Sequence, residues 1–203
     1  MRRKVYTRRT ALFLLFATLL APTAFMSASA PATFSPAAAA AQGRINVNGF
    51  FSVDPANQGS SFQAAIVMEI PDGLHVNGNR PLGKFAIPTS VKIDAPRGMK
   101  VSAVTYPRAQ VRSFRFGEGT PEERLAVYEG RVIMRFNVTV PASFERGVAR
   151  IRTIVRFQSC SDTVCFPPAT RELVLPIAIV DPGHPVNRIN QRYFGDGGRG
   201  KRR

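Results

Sequence analysis

The chain has 203 residues, with 28 Lys+Arg against 13 Asp+Glu, 44% hydrophobic residues, two Cys and no Trp. That length holds one domain with terminal extensions rather than two full domains, and sixteen Gly with sixteen Pro exclude a long-helix bundle in favour of short strands and turns. The formal charge of +15 invites a nucleic-acid reading, which depends on where the charge sits.

The first segment, residues 1–41, reads as a signal peptide. Arg2, Arg3, Lys4, Arg8 and Arg9 form a basic front before the apolar run Ala11 to Ala21. That run is shorter than the roughly 20 residues a membrane-spanning helix needs, but it suits a signal-peptide core. The small residues Ala37 to Ala41 offer the preferred cleavage site, because Pro31 makes a poor junction after Ala30. Thr7-Arg8-Arg9 is a partial twin-arginine match, and an ordinary secretory signal fits better.

Residues 42–180 read as an all-β domain. Phe62 to Ile70 is a continuous apolar run closed by the turn residues Pro71-Asp72-Gly73. Shorter strands are predicted at Ser90–Asp94, Lys100–Thr105, Leu125–Tyr128 and Leu173–Val180. Arg131 to Val140 alternates Val132, Met134, Phe136, Val138 and Val140 with a more polar set. Val148 to Gln158 repeats the pattern, with Ile151, Thr153, Val155 and Phe157 inward and Arg150, Arg152 and Arg156 on a solvated face. Period-two alternation marks half-buried antiparallel strands, and seven or more in this length predict a β-sandwich.

Residues 181–203 are rich in Gly, Asn and Arg without apolar periodicity, and predict a flexible, disordered basic tail. Contact with an anionic membrane surface is a second reading of its closing Arg199, Lys201, Arg202 and Arg203. Gly195, Gly197 and Gly200 form a G-x-G-x-x-G match that lacks the strand and helix it needs. With both ends set aside, the body carries 17 positive and 11 negative residues, a net of +6. The case for nucleic acid leaves with the ends.

The two Cys remain to carry chemistry, in Gln158-Ser159-Cys160-Ser161-Asp162-Thr163-Val164-Cys165-Phe166-Pro167-Pro168. Disulfide Cα atoms lie about 4.4–6.8 Å apart, so a bond requires Ser161 to Val164 to turn back, and Asp162 is a natural turn former. Three readings follow. A structural staple is common in exported proteins, although so small a loop gains only about 2 kcal/mol in the chain-entropy model. Zinc would need His75 and His184, and no second closely spaced ligand pair supports it. A nucleophilic hydrolase is weaker still, because no Ser-His-Asp or Cys-His pattern carries its usual local context.

The segment Phe157 to Thr170 resembles the active-site stretch of the amino-terminal periplasmic domain of the thiol:disulfide interchange protein DsbD, which reads Tyr-Gln-x-Cys and then Cys-x-Pro-Pro-x-Thr. Pro71 to Asn77, Ile87-Pro88-Thr89-Ser90 and Thr105-Tyr106-Pro107 resemble upstream parts of the same domains. The resemblance runs from about Ile66 to Ile177. It implies an immunoglobulin-like β-sandwich in which Cys160 and Cys165 cycle between disulfide and dithiol, with Cys165 the sulfur that joins partners. It implies a cap loop over the pair, matched by Ser113-Phe114-Arg115-Phe116-Gly117, with Phe114 and Phe116 as cap residues where the family has an acidic-aromatic pattern. His75 and Asp162 fall at positions that line the family's site.

By the same resemblance the domain relays electrons from a reduced thioredoxin-like protein or a separate membrane electron transporter to oxidised exported proteins. No cofactor, metal or nucleic acid is expected, and the location is periplasmic or otherwise exported. The alternative is a non-catalytic binding or assembly module with a permanently oxidised structural disulfide.

Overall fold

The computed structural model describes residues 45–195, apart from Lys84. The expected signal peptide and the closing basic residues lie outside the described residues. Strands β1 (Asn46–Phe51), β2 (Val53–Asp54), β3 (Ala56–Asn57), β4 (Ser61–Glu69), β5 (His75–Asn77), β6 (Ser90–Asp94) and β7 (Lys100–Val101) form the first half. The second half contains β8 (Gln110–Phe114), β9 (Glu123–Tyr128), β10 (Arg131–Thr139), β11 (Gly147–Phe157), β12 (Ser159–Cys160), β13 (Ala169–Val180) and β14 (Asn187–Arg188). Among the described residues the only helical element is a 3-10 turn, Gln191–Tyr193, and no helix is long and apolar enough to cross a membrane.

Two sheets face each other across the core. One has the order β1-β4-β10-β7 and the other β3-β13-β11-β6. The alternation in β10 and β11 is the cause: Val132, Met134, Phe136 and Val138 point inward from one sheet, and Ile151, Val155 and Phe157 from the other. The arginines at 150, 152 and 156 are exposed on the outer face as expected, and Arg152 forms a two-bond pair with Glu172 at 2.6 and 2.7 Å. Pro176 is tolerated in β13 because β3 pairs only with Ile179 and Val180, leaving the earlier edge unpaired. The sandwich predicted from sequence is the fold observed.

The strand predicted over Lys100–Thr105 is shorter, since only Lys100 and Val101 pair with β10 before Thr105 rejoins it opposite Arg135. β5, β8 and β12 are short pairings that the sequence reading did not assign. With β9 they form a third sheet, β12-β5-β9-β8, and this sheet carries Cys160, His75 and Phe114.

The tail assignment needs correction, because residues 181–195 are part of the fold. β14 pairs with β2, Asn190 Nδ2 donates to the Phe51 carbonyl at 3.0 Å, and Arg135 Nε donates to the Tyr193 carbonyl at 2.6 Å. Tyr193 is buried and stacks on Phe50 with ring centroids 4.3 Å apart. The physical reason lies in β4. Its run is apolar on both faces, so Ala64, Ile66 and Met68 fill the main core while Ala65 and Val67 need a second cover, which Tyr193 and Phe194 provide. Replacing Tyr193 by Ala is expected to lower stability by about 2–4 kcal/mol in urea unfolding; a loss below about 0.5 kcal/mol would mean that the segment does not cover β4.

Candidate active site

Cys160 and Cys165 form a disulfide with Cα atoms 4.0 Å apart. They face each other as a cross-strand pair, flanked by main-chain hydrogen bonds from Ser161 N to Val164 O at 2.8 Å and from Phe166 N to Ser159 O at 2.9 Å. The predicted reversal at Ser161–Val164 is present. The Ser161 hydroxyl oxygen accepts from the Thr163 and Val164 amides at 3.3 and 3.1 Å, which is how a serine closes a turn through its own side chain. Pro167 and Pro168 end the pairing, and β13 starts immediately after them.

The two sulfurs stand in different environments. Cys160 is 0% exposed, because β12 continues β11 beyond the core residue Phe157 and pairs with β5. Cys165 is exposed and opens onto a groove of about 430 Å³ lined by Phe85, Phe116, Gln158 and Val164 among others. Phe85 is 83% exposed and Val164 49%, so the approach to Cys165 is rimmed by exposed apolar surface.

The segment expected to act as a cap joins β8 to β9 over residues 115–122. Gly117 takes a left-handed φ of 100° just after Phe116, a conformation that suits glycine, and Thr120 Oγ1 closes the loop onto the Phe116 and Gly117 carbonyls at 3.0 and 2.8 Å. Of the two expected cap residues, Phe116 lines the groove with Cys165. Phe114 is buried beneath it, stacking on Phe116 at 5.9 Å and on His75 at 4.1 Å. It supports the Phe116 ring.

His75 lies opposite Cys160 in the β5–β12 ladder. Its ring is 1% exposed, and burial lowers its pKa from 6.5 to about 4, opposed by the Asp162 charge and assisted by Arg112. Asp162, Arg112 and His75 share the lining of a second, polar pocket of about 240 Å³. Arg112 pairs there with Glu129 at 3.0 Å. All six residues singled out from sequence are therefore gathered around the hairpin, although Asp162 faces the polar pocket rather than the groove.

Sequence reasoning missed the role of Gln158, quoted only as part of the cysteine motif. Its Oε1 accepts from Asn77 Nδ2 at 2.9 Å and from the Ile87 amide at 3.1 Å, while Nε2 donates to the Phe166 carbonyl at 3.2 Å. Arg112 was missed because it is distant in sequence, and Phe85 and Val164 because isolated apolar residues carry no pattern. Among the described residues no group of three His, Cys, Asp or Glu side chains could hold a metal; His184 lies beyond β13, where its backbone carbonyl accepts from Asn57 Nδ2 at 3.0 Å.

Two outcomes follow. Gln158→Ala is expected to cost about 1–3 kcal/mol, because it strands partners that are part-buried; an unchanged urea midpoint would show that the hairpin is held without it. His75 binds its proton less readily folded than unfolded, so its contribution is complete above pH 6.5 and is lost as pH falls toward about 4. Urea titrations across that window should show stability declining with pH, with the decline reduced in His75→Phe; equal declines would overturn the assignment.

A family model described as the N-terminal domain of thiol:disulfide interchange protein DsbD matches residues 45–176. Comparison with curated proteins gives no match. Among solved structures, the N-terminal periplasmic domain of ScsB from Proteus mirabilis is similar at 9% identity and a TM-score of 0.41, covering 66% of this chain and 45% of that one. A family 123 glycoside hydrolase from Clostridium perfringens gives 9% identity and 0.34, covering 68% and 27%. The major pilin subunit BcpA of Bacillus cereus gives 9% and 0.35, covering 67% and 40%. The chain spans less than half the length of each of these three chains. The family match takes in the sandwich, the cap and the cysteine hairpin together, and the chain belongs to the family of DsbD N-terminal domains.

Proposed function

We propose that this domain performs thiol–disulfide interchange outside the cytoplasm, relaying electrons through Cys160 and Cys165. Family membership supports the chemistry, and the observation that carries it is the unequal exposure of the two sulfurs. A partner thiolate can reach Cys165 from the groove, whereas Cys160 is fully buried. The attack forms a partner–Cys165 disulfide and releases Cys160 as the leaving thiolate. A second partner thiolate then frees Cys165, leaving the partner oxidised and the domain reduced. In the onward transfer the Cys165 thiolate attacks an oxidised substrate, and Cys160 displaces that substrate by re-forming the Cys160–Cys165 bond.

The donor in this reading is a thioredoxin-like protein or a separate membrane electron transporter, and the acceptors are oxidised exported proteins. The apolar rim of Phe85, Phe116 and Val164 suits a partner whose own cysteine is flanked by apolar residues, since docking would remove that surface from water.

Trapping tests the relay. Cys160→Ser is expected to accumulate mixed disulfides through Cys165 when incubated with extracytoplasmic extract, and Cys165→Ser to accumulate far fewer. Equal or absent trapping in both would overturn the assignment of the attacked sulfur. A reduction potential in the range of thioredoxin-like proteins is expected; one well below about −300 mV would mark the bond as structural and favour a binding module instead.

A further inference from the structure

Opening the disulfide leaves the sulfur of Cys160 in a difficult place. A thiolate at a wholly buried position loses its hydration and needs a polar neighbour or a proton. The β5–β12 ladder supplies one neighbour directly opposite, His75. Among the described residues its Nε2 is buried without a hydrogen-bond partner while the pair is oxidised. Buried polar atoms are ordinarily bonded, so an orphan on the residue paired with Cys160, whose sulfur changes its bonding, is a vacancy that the reduced state can fill.

We propose that His75 is the hydrogen-bond partner and proton acceptor of the Cys160 thiol in the reduced domain, a role that rests on the redox-active reading of the pair. In the onward transfer, Cys165 is joined to the acceptor and Cys160 carries a thiol. The His75 imidazole takes the thiol proton, and the Cys160 thiolate attacks Sγ of Cys165. The Cys165–acceptor bond breaks, its electron pair leaves with the acceptor sulfur, and the proton returns through His75 and solvent to that thiolate. In the reverse direction the same imidazole donates to the Cys160 thiolate as it is released. Electrons pass from the domain to the acceptor, and the proton count is unchanged.

Burial keeps the imidazole neutral near neutral pH, which leaves it able to accept a proton while making it a weaker base than a free imidazole, and the ring stacks on Phe114 with centroids 4.1 Å apart. The charged groups around it are Asp162 from the hairpin turn and Arg112 from β8, with Asp72 and Glu129 completing the charged lining of the adjoining pocket. Asp162 favours the imidazolium and Arg112 opposes it. The pocket gives the proton a route to water, and its lining shares no residue with the partner groove.

The experiment is single-turnover oxidation of the reduced full chain by the aromatic disulfide dithiobis(nitrobenzoate), which releases one coloured thiolate when Cys165 attacks and a second when Cys160 closes the ring. The first phase should be the same in wild type, His75→Phe and His75→Gln. The second should slow by about tenfold or more in both variants. It should also rise about tenfold per pH unit below the thiol pKa in the variants and more shallowly in wild type. Second phases within about twofold across that range would overturn the role of His75 and leave the relay intact. Absence of the first phase in wild type, or its persistence in Cys165→Ser, would overturn the relay reading itself. The first phase and a thermal melt report folding, and His75→Gln carries the measurement if the Phe ring is not accommodated.

Discussion

The side-chain amide of Gln158 ties three separate stretches of chain around the cysteine hairpin: β5 through Asn77, the segment before β6 through the Ile87 amide, and the strand leaving Cys165 through the Phe166 carbonyl. It stands one residue beyond Phe157, which is fully buried in the sandwich core. The site thus inherits its position from the core through a single residue step, and a polar side chain converts that anchor into a hairpin of defined place. Thr89 reinforces the arrangement by donating its hydroxyl to the Asn77 carbonyl at 2.6 Å.

From that anchor the hairpin contributes to two cavities. Thr163, Val164 and Cys165 line the apolar groove with Phe116, and Asp162 lines the polar pocket with His75 and Arg112. Cys165 opens onto the groove, whereas Cys160 is wholly buried opposite His75, so two cysteines five residues apart stand in different surroundings.

Much of this architecture was legible in the sequence, and the reason is periodicity. β10 and β11 are long, half-buried and regular, so their alternation survives to the eye; the cysteine segment carried its neighbours with it. The pairings that build the site, β5, β8 and β12, are of two to five residues, too short for a period to form. The folded end segment was missed for a related reason: Tyr193 and Phe194 stand side by side, and one aromatic pair among Gly, Asn and Arg sets up no period. The signal was elsewhere, in β4, whose unbroken apolar run required two covered faces and thereby announced a partner the sequence reading did not seek. Arg112 reaches His75 from a different strand, and nothing local to either residue marks the meeting.

The turn at Ser161–Val164 has a bearing on reversibility. It is closed by the Ser161 hydroxyl and by main-chain bonds on either side of the cysteines, while the core that stabilises the sandwich lies beyond Phe157. The hairpin is therefore fastened by hydrogen bonds that do not involve the sulfurs as well as by the covalent bond. In the proposed relay, opening and closing that bond breaks none of these hydrogen bonds directly, so the turn that brings the two sulfurs together has a fastening of its own.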